Sequence, residues 1–306
     1  EGENQVTPKL EMAEILERQL NEPGQALSCY SEVIVEHPNG LRFLPKMFEL
    51  AQDAGAEAQL VETLESRLAS SLDSAEEEAQ IRRMLGAIYK DALNRPELSA
   101  EQYEQLVEVD LALDEDIHAL KELYERLARW EELLVIYEEL MERSSSQAER
   151  VTHLAAVGRI QGEILENFDA ARGVFEEIIE LEPANIQAIR GLQLLAERDE
   201  DWVSLETQLE REIEYAEGGE ERAQLYTRLG KLALRLEDQA SAFERFVEAL
   251  AHEPSGAEII LALEGFLDGD FAYEAAKSLE TSLRTLGEPL RFERVLDILA
   301  RSTEED

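Results

Sequence analysis

One stretch of this 306-residue chain returns four times at nearly constant spacing, and that recurrence limits the fold more than any other feature. The copies read CYSEVIVEHPNG, QYEQLVEVDLALD, VFEEIIELEPAN and RFVEALAHEPSG. Each is a short amphipathic run with an aromatic near its start (Tyr30, Tyr103, Phe175, Phe246) and a stop eight residues later (Pro38, Leu111, Pro183, Pro254). The aromatics lie 73, 72 and 71 residues apart. Apolar residues at helical spacing followed by proline predict helices that end at or before the proline. Four positions before each aromatic stands a small residue, Ala26, Ser99, Ala171 or Ala242, where a neighbouring helix can approach closely.

Each period holds a second helix pair. It is clearest in ALKELYERLARWEELLVIYEEL, with Trp130, echoed 72 residues later by AIRGLQLLAERDEDWVSLETQL, with Trp202. The matching places near Glu57 and Tyr273 have no Trp. Leu133 and Leu205 follow each Trp by three on the same helical face, which reads as packed core. Turns such as NEPG, HPNG, EPAN and EPSG are short and polar, so consecutive helices are antiparallel. With only 8 Pro and 16 Gly, and abundant Ala, Leu and Glu, the chain predicts about seventeen helices and an all-α fold. A single helix pair cannot bury its apolar face alone, whereas a stack of pairs builds one continuous core. The expected architecture is one solenoid over 1–306, with units at roughly 1–73, 74–146, 147–218 and 219–288 and a capping helix over 289–306.

The fourth copy, LYTRLGKLALRLEDQASAFERFVEALAHEP, resembles the tetratricopeptide repeat, with Tyr226, Leu229, Gly230, Ala242, Phe246, Ala249 and Pro254 where that pattern of roughly 34 residues wants them. The third copy matches at Ala171, Phe175 and Pro183, with Gly158 one position off register; the first keeps Ala26, Tyr30 and Pro38, and the second little beyond Tyr103. The doubled period is similar to arrays in large bacterial tetratricopeptide proteins. The Trp-bearing half also resembles the half-a-TPR repeats of RNA-processing scaffolds. The tetratricopeptide resemblance implies a right-handed α-α superhelix whose first helices line a concave groove that grips a peptide or helix of a partner, without catalysis.

Charge narrows the partner classes. The net charge is −40, from 69 acidic and 29 basic residues, which opposes nucleic-acid backbones and anionic membrane surfaces. No apolar run approaches the roughly 20 residues of a membrane span. The first helices of the third and fourth copies nevertheless carry basic residues. Arg228, Lys231 and Arg235, spaced i, i+3 and i+7, form one ridge, and Arg159 stands on the preceding copy's first helix. These four are the candidate partner-binding residues, for a carboxylate or an acidic segment; the alternative is that they neutralise their own repeat's acidic helices. A basic partner on the acidic outer faces is the competing expectation.

Chemistry-bearing patterns are missing. His37, His118, His153 and His252 are scattered, so no metal site is expected, and HEP at 252–254 lacks the helix and second His of a zincin. DEDIHALKELYE has calcium-loop spacing at Asp114, Asp116 and Glu125 but Ala119 where glycine is needed, and reads as a helix capped by Asp. Cys29, the only cysteine, reads as packed core and excludes an internal disulfide. Neither a catalytic constellation nor a cofactor is expected. The sequence thus describes an acidic interaction scaffold for a protein or peptide; the alternative is a structural subunit that stacks end to end. The chain begins EGENQVTPKL, without Met or a signal peptide, and reads as a fragment or processed product. Six Lys among 29 basic residues point to a GC-rich bacterial genome, with cytoplasm and periplasm equally open.

Overall fold

The computed structural model describes residues 3–36, 38–70, 72 and 74–304, so His37 lies outside the described residues. Among these residues there are seventeen α-helices and no strand. The chain divides into two compact units, Glu1–Ser144 and Ser145–Asp306. The first contains α1 (Glu3–Arg18), α2 (Pro23–Glu36), α3 (Leu44–Ala54), α4 (Glu57–Leu68), α5 (Ala75–Ala87), α6 (Pro96–Glu108), α7 (Asp114–Leu127) and α8 (Trp130–Arg143). The second contains α9 (Gln147–Arg159), α10 (Phe168–Leu181), α11 (Ile186–Arg198), α12 (Trp202–Tyr215), α13 (Gly219–Arg235), α14 (Gln239–His252), α15 (Ala257–Glu264), α16 (Ala272–Leu286) and α17 (Pro289–Glu304). Within each unit every helix packs on the next.

The expected stops hold. Helices α2, α10 and α14 each end two residues before their proline. The four small residues, Ala26, Ser99, Ala171 and Ala242, are fully buried where helices close on one another. Ser99 tolerates this because its hydroxyl donates to the Gly86 carbonyl at 2.8 Å. Asp201 and Asp238 cap α12 and α14, accepting the amides of Ser204 and Ser241. The start of α7 is capped by an Asp, as expected: Asp116 reaches back to accept the Leu113 amide at 2.8 Å and takes Arg83 Nε at 2.7 Å. Asp114 faces Arg143 instead, at 3.1 Å. Leu133 and Leu205 are buried, but Trp130 and Trp202 are only half-buried. Cys29 packs beside the first unit's core, and burial raises the thiol's pKa.

The backbone repeats with the period of the side chains. Left-handed residues close the helix before each aromatic at Asn21, Asn94, Glu166 and Glu237, again 73, 72 and 71 apart. A second series, Gly55, Ala128 and Glu200, closes the helix before α4, α8 and α12. In each of the last three copies the aromatic lies against a glycine of the preceding helix: a Cβ at Gly86 would stand 2.8 Å from Tyr103, one at Gly158 2.7 Å from Phe175 and one at Gly230 2.8 Å from Phe246. The one-residue offset of Gly158 is real in sequence and absorbed in structure. Glycine to aromatic is 17 residues in the second and third copies and 16 in the fourth. The extra residue sits in π-helical turns, Ile88–Ala92 and Ile160–Ile164, where Leu93 and Leu165 donate to carbonyls five residues back. In the fourth copy Leu236 closes the same turn on Leu232, four back.

A deletion therefore has a predicted place. Removing Gln161 is expected to convert the third copy to the fourth copy's spacing with little change in thermal unfolding midpoint followed by circular dichroism. Removing Glu176, inside α10, rotates everything beyond it off its face and is expected to abolish cooperative unfolding of the second unit.

Candidate functional site

The aromatics are not buried alike. Tyr30, Tyr103 and Phe246 belong to the core, whereas Phe175 is half-buried. The cause lies in what surrounds its ring. Gly158 on α9 meets one side, and Gly191 on α11, where a Cβ would stand 2.6 Å from the ring, meets the other. Ala148, Ala155 and Ala156 continue the small-residue wall of α9. With so little side chain above it, the ring becomes the floor of a cleft of about 820 Å³ between α9, α10 and α11.

The rim is mixed. Leu194 projects from α11 with 66 % of its surface exposed, as Val203, Leu261 and Leu290 do on other helices of the second unit. Arg159 and Arg190 also line this cleft, with Glu163, Glu182, Asn185 and Gln187. Arg159 is exposed and makes no ion pair among the described residues. Arg190 is held from below: its Nε donates to Glu212 at 2.6 Å and its Nη2 to Glu221 at 3.2 Å.

The other three sequence-derived residues gather in an adjacent cleft of about 310 Å³, with Trp202, Leu205, Leu209, Leu232 and Glu197. Helix α11 joins the two clefts, giving Leu194 to the first and Glu197, three residues on, to the second. Arg228, Lys231 and Arg235 do not stand as one free ridge. Arg228 donates to Gln193 and Glu197, both at 2.9 Å, and Lys231 to Glu258 at 2.5 Å. Arg235 instead lies over the Trp202 ring, 4.0 Å from its centroid, with no carboxylate partner among the described residues. Two of the three therefore already neutralise neighbouring helices.

Beneath both clefts runs a polar chain that sequence reasoning missed. Glu212 is 1 % exposed, and its carboxylate accepts Arg190 Nε on one oxygen and Gln193 Nε2, at 2.7 Å, on the other. Gln193, also buried, accepts Arg228 through its own oxygen. The chain ties α11 to α12 and α13. Its signal in sequence is one glutamate among 69 acidic residues, on an otherwise apolar face of α12. No group of His, Cys, Asp and Glu that could hold a metal ion occurs among the described residues, and no helix among them is long and apolar enough to cross a membrane. His252 stacks on Tyr226 at 5.7 Å between ring centroids.

No protein-family model and no curated protein matches the sequence. The chain is similar to the C-terminal part of a TPR repeat-containing protein from Cytophaga hutchinsonii, at 14 % identity over 83 % of this chain and 99 % of that one, with a TM-score of 0.45. It is similar to a tetratricopeptide repeat protein from Parabacteroides merdae at 15 % identity, over 85 % and 97 % of the two chains, with a TM-score of 0.38. It is also similar to YrrB, a TPR protein with an unusual peptide-binding site, at 14 % identity over 67 % and 99 %, with a TM-score of 0.38. At those identities and TM-scores the likenesses carry no argument about partner or chemistry. The family resemblance stands instead on this chain's own residues, with Gly230 of α13 packed against Phe246 of α14 and Ala242 and Ala249 buried beside it. The chain is an array of tetratricopeptide-like helix pairs.

Proposed function

We propose that this chain is a non-catalytic protein–protein interaction scaffold whose second unit takes a peptide or helix of a partner protein into the cleft between α9 and α11. The observation that carries the reading is the half-buried Phe175 beneath an exposed Leu194, where the other three copies bury their aromatic. Covering apolar surface releases about 25 cal/mol per Å², and an apolar floor with a polar rim is the ordinary make-up of a protein-binding surface.

Leu194→Asp tests the reading with little risk to folding, because the side chain already faces water. Wild-type and variant protein are used to capture partners from cells that make the chain, and the captured proteins are quantified by mass spectrometry. One recurrent partner lost from the variant, at unchanged melting temperature, supports the scaffold. Equal recovery of every partner overturns the cleft, and recovery of this chain alone in large assemblies supports the structural subunit instead.

A further inference from the structure

We infer that the second unit carries a further binding surface, one that takes a basic segment of a partner protein: a Lys or Arg side chain lies against the rings of Tyr226 and Phe243, and Glu244 and Glu248 take its charge. The surface is a cleft of about 450 Å³ on α13 and α14 that shares no residue with the two described above. Its apolar part is Tyr226, Phe243 and Val247, none of them fully buried. The rings are already held in place. Phe243 stacks on Phe271 at 5.1 Å and meets Phe266 edge-on at 5.6 Å, and Tyr226 stacks on His252. A site whose walls are fixed before the ligand arrives loses little to ordering.

The unspent charge of the cleft has one sign. Arg245, the one basic residue lining it, is taken by Glu210 at 2.5 Å, with Glu206 at 3.8 Å, both from α12. Glu244 and Glu248, one helical turn apart on α14, are exposed and make no ion pair among the described residues. The other copies do not repeat this set. At the position of Phe243 they have Leu27, Ala100 and Arg172, and at that of Glu244 they have Ser28, Glu101 and Gly173. At the position of Glu248 they have Glu32, Gln105 and Glu177, and both glutamates are already paired, with Lys9 at 2.8 Å and Arg150 at 3.0 Å. Aromatic wall and unpaired carboxylates coincide in the fourth copy. A cation over an aromatic face gains from the ring quadrupole, and nearby carboxylates give it charge-assisted hydrogen bonds. An acidic segment meets like charges here, and an uncharged one strips water from the carboxylates without replacing it. The net charge of −40 steers a basic partner toward such a surface.

The test works whatever the natural partner is. A phage-displayed library of random peptides is panned at physiological salt on the full chain, on Leu194→Asp, on Glu244→Gln/Glu248→Gln and on Glu131→Gln/Glu138→Gln, which removes the same charge from exposed positions of α8. Peptides carrying Lys or Arg are expected to bind the full chain, Leu194→Asp and the α8 variant alike. Their binding should fall about tenfold for each of Glu244 and Glu248 neutralised, the loss of one charge-assisted contact. Phe243→Leu, which keeps an apolar side chain but no ring, should weaken it again. An equal loss in the α8 variant would mean that any drop in net charge has the same effect, and overturns the site. Acidic or uncharged peptides that require Glu244 and Glu248 overturn the assigned chemistry. If no enriched peptide depends on those two glutamates, the inference fails, and peptides that depend on Leu194 alone would then leave the proposed function standing without it.

Discussion

Phe246→Ala is expected to destabilise the second unit by about 3–5 kcal/mol, the usual cost of deleting a buried aromatic and leaving a cavity. The ring is fully buried, pressed against Gly230 on one side and 6.3 Å from the Phe266 ring on another. Phe243 and Phe271, stacked at 5.1 Å, extend the same cluster, so the surroundings are rigid aromatics that cannot collapse into the space. Phe175→Ala is the internal comparison. Its ring is only partly covered, so its removal is expected to cost less by lost transfer energy. Urea unfolding followed by circular dichroism reads both, and equal losses at the two positions would contradict the difference in burial on which the candidate cleft is built.

The second large effect comes from the buried carboxylate. Arg190→Met is expected to cost about 2–3 kcal/mol, because Glu212 then keeps only Gln193 as donor in a site closed to water. The value sits below that of a fully buried pair because Arg190 itself is 56 % exposed and solvent reaches its side of the interaction. Glu212→Leu in the same background removes the stranded charge and is expected to recover most of the loss. A double-mutant cycle decides the matter: strictly additive costs would mean that the pair contributes no coupling and that the polar chain is incidental to stability.

Much of the architecture was legible from Tyr30, Tyr103, Phe175 and Phe246 and from the prolines after three of them, because a stop at fixed distance from a packed aromatic is a local property. The small residues four positions earlier were legible for the same reason. The role of Gly158 was not, because matching it to Gly230 requires knowing that a helix can hold one extra residue in a π turn. The candidate site was legible only in part. Spacing placed Arg228, Lys231 and Arg235 on one face, but Glu197 and Glu258, which engage two of them, lie about 30 residues away in sequence. In a chain with 69 acids, nothing local says which will be near. Leu194 was passed over because a leucine on an amphipathic helix reads as core, and its exposure follows from Gly191 and the alanines of α9.

The π-helical turns bear on how such a gene drifts. A codon gained or lost inside α10 turns the remainder of that helix by about 100° and takes its apolar stripe away from its neighbours. The same event at Ile160–Ile164 stays within the turn, because the next helix starts again from the left-handed residue at Glu166. Length variation among descendants of this array is therefore expected to collect at these turns, with the glycine and aromatic on either side of them unchanged.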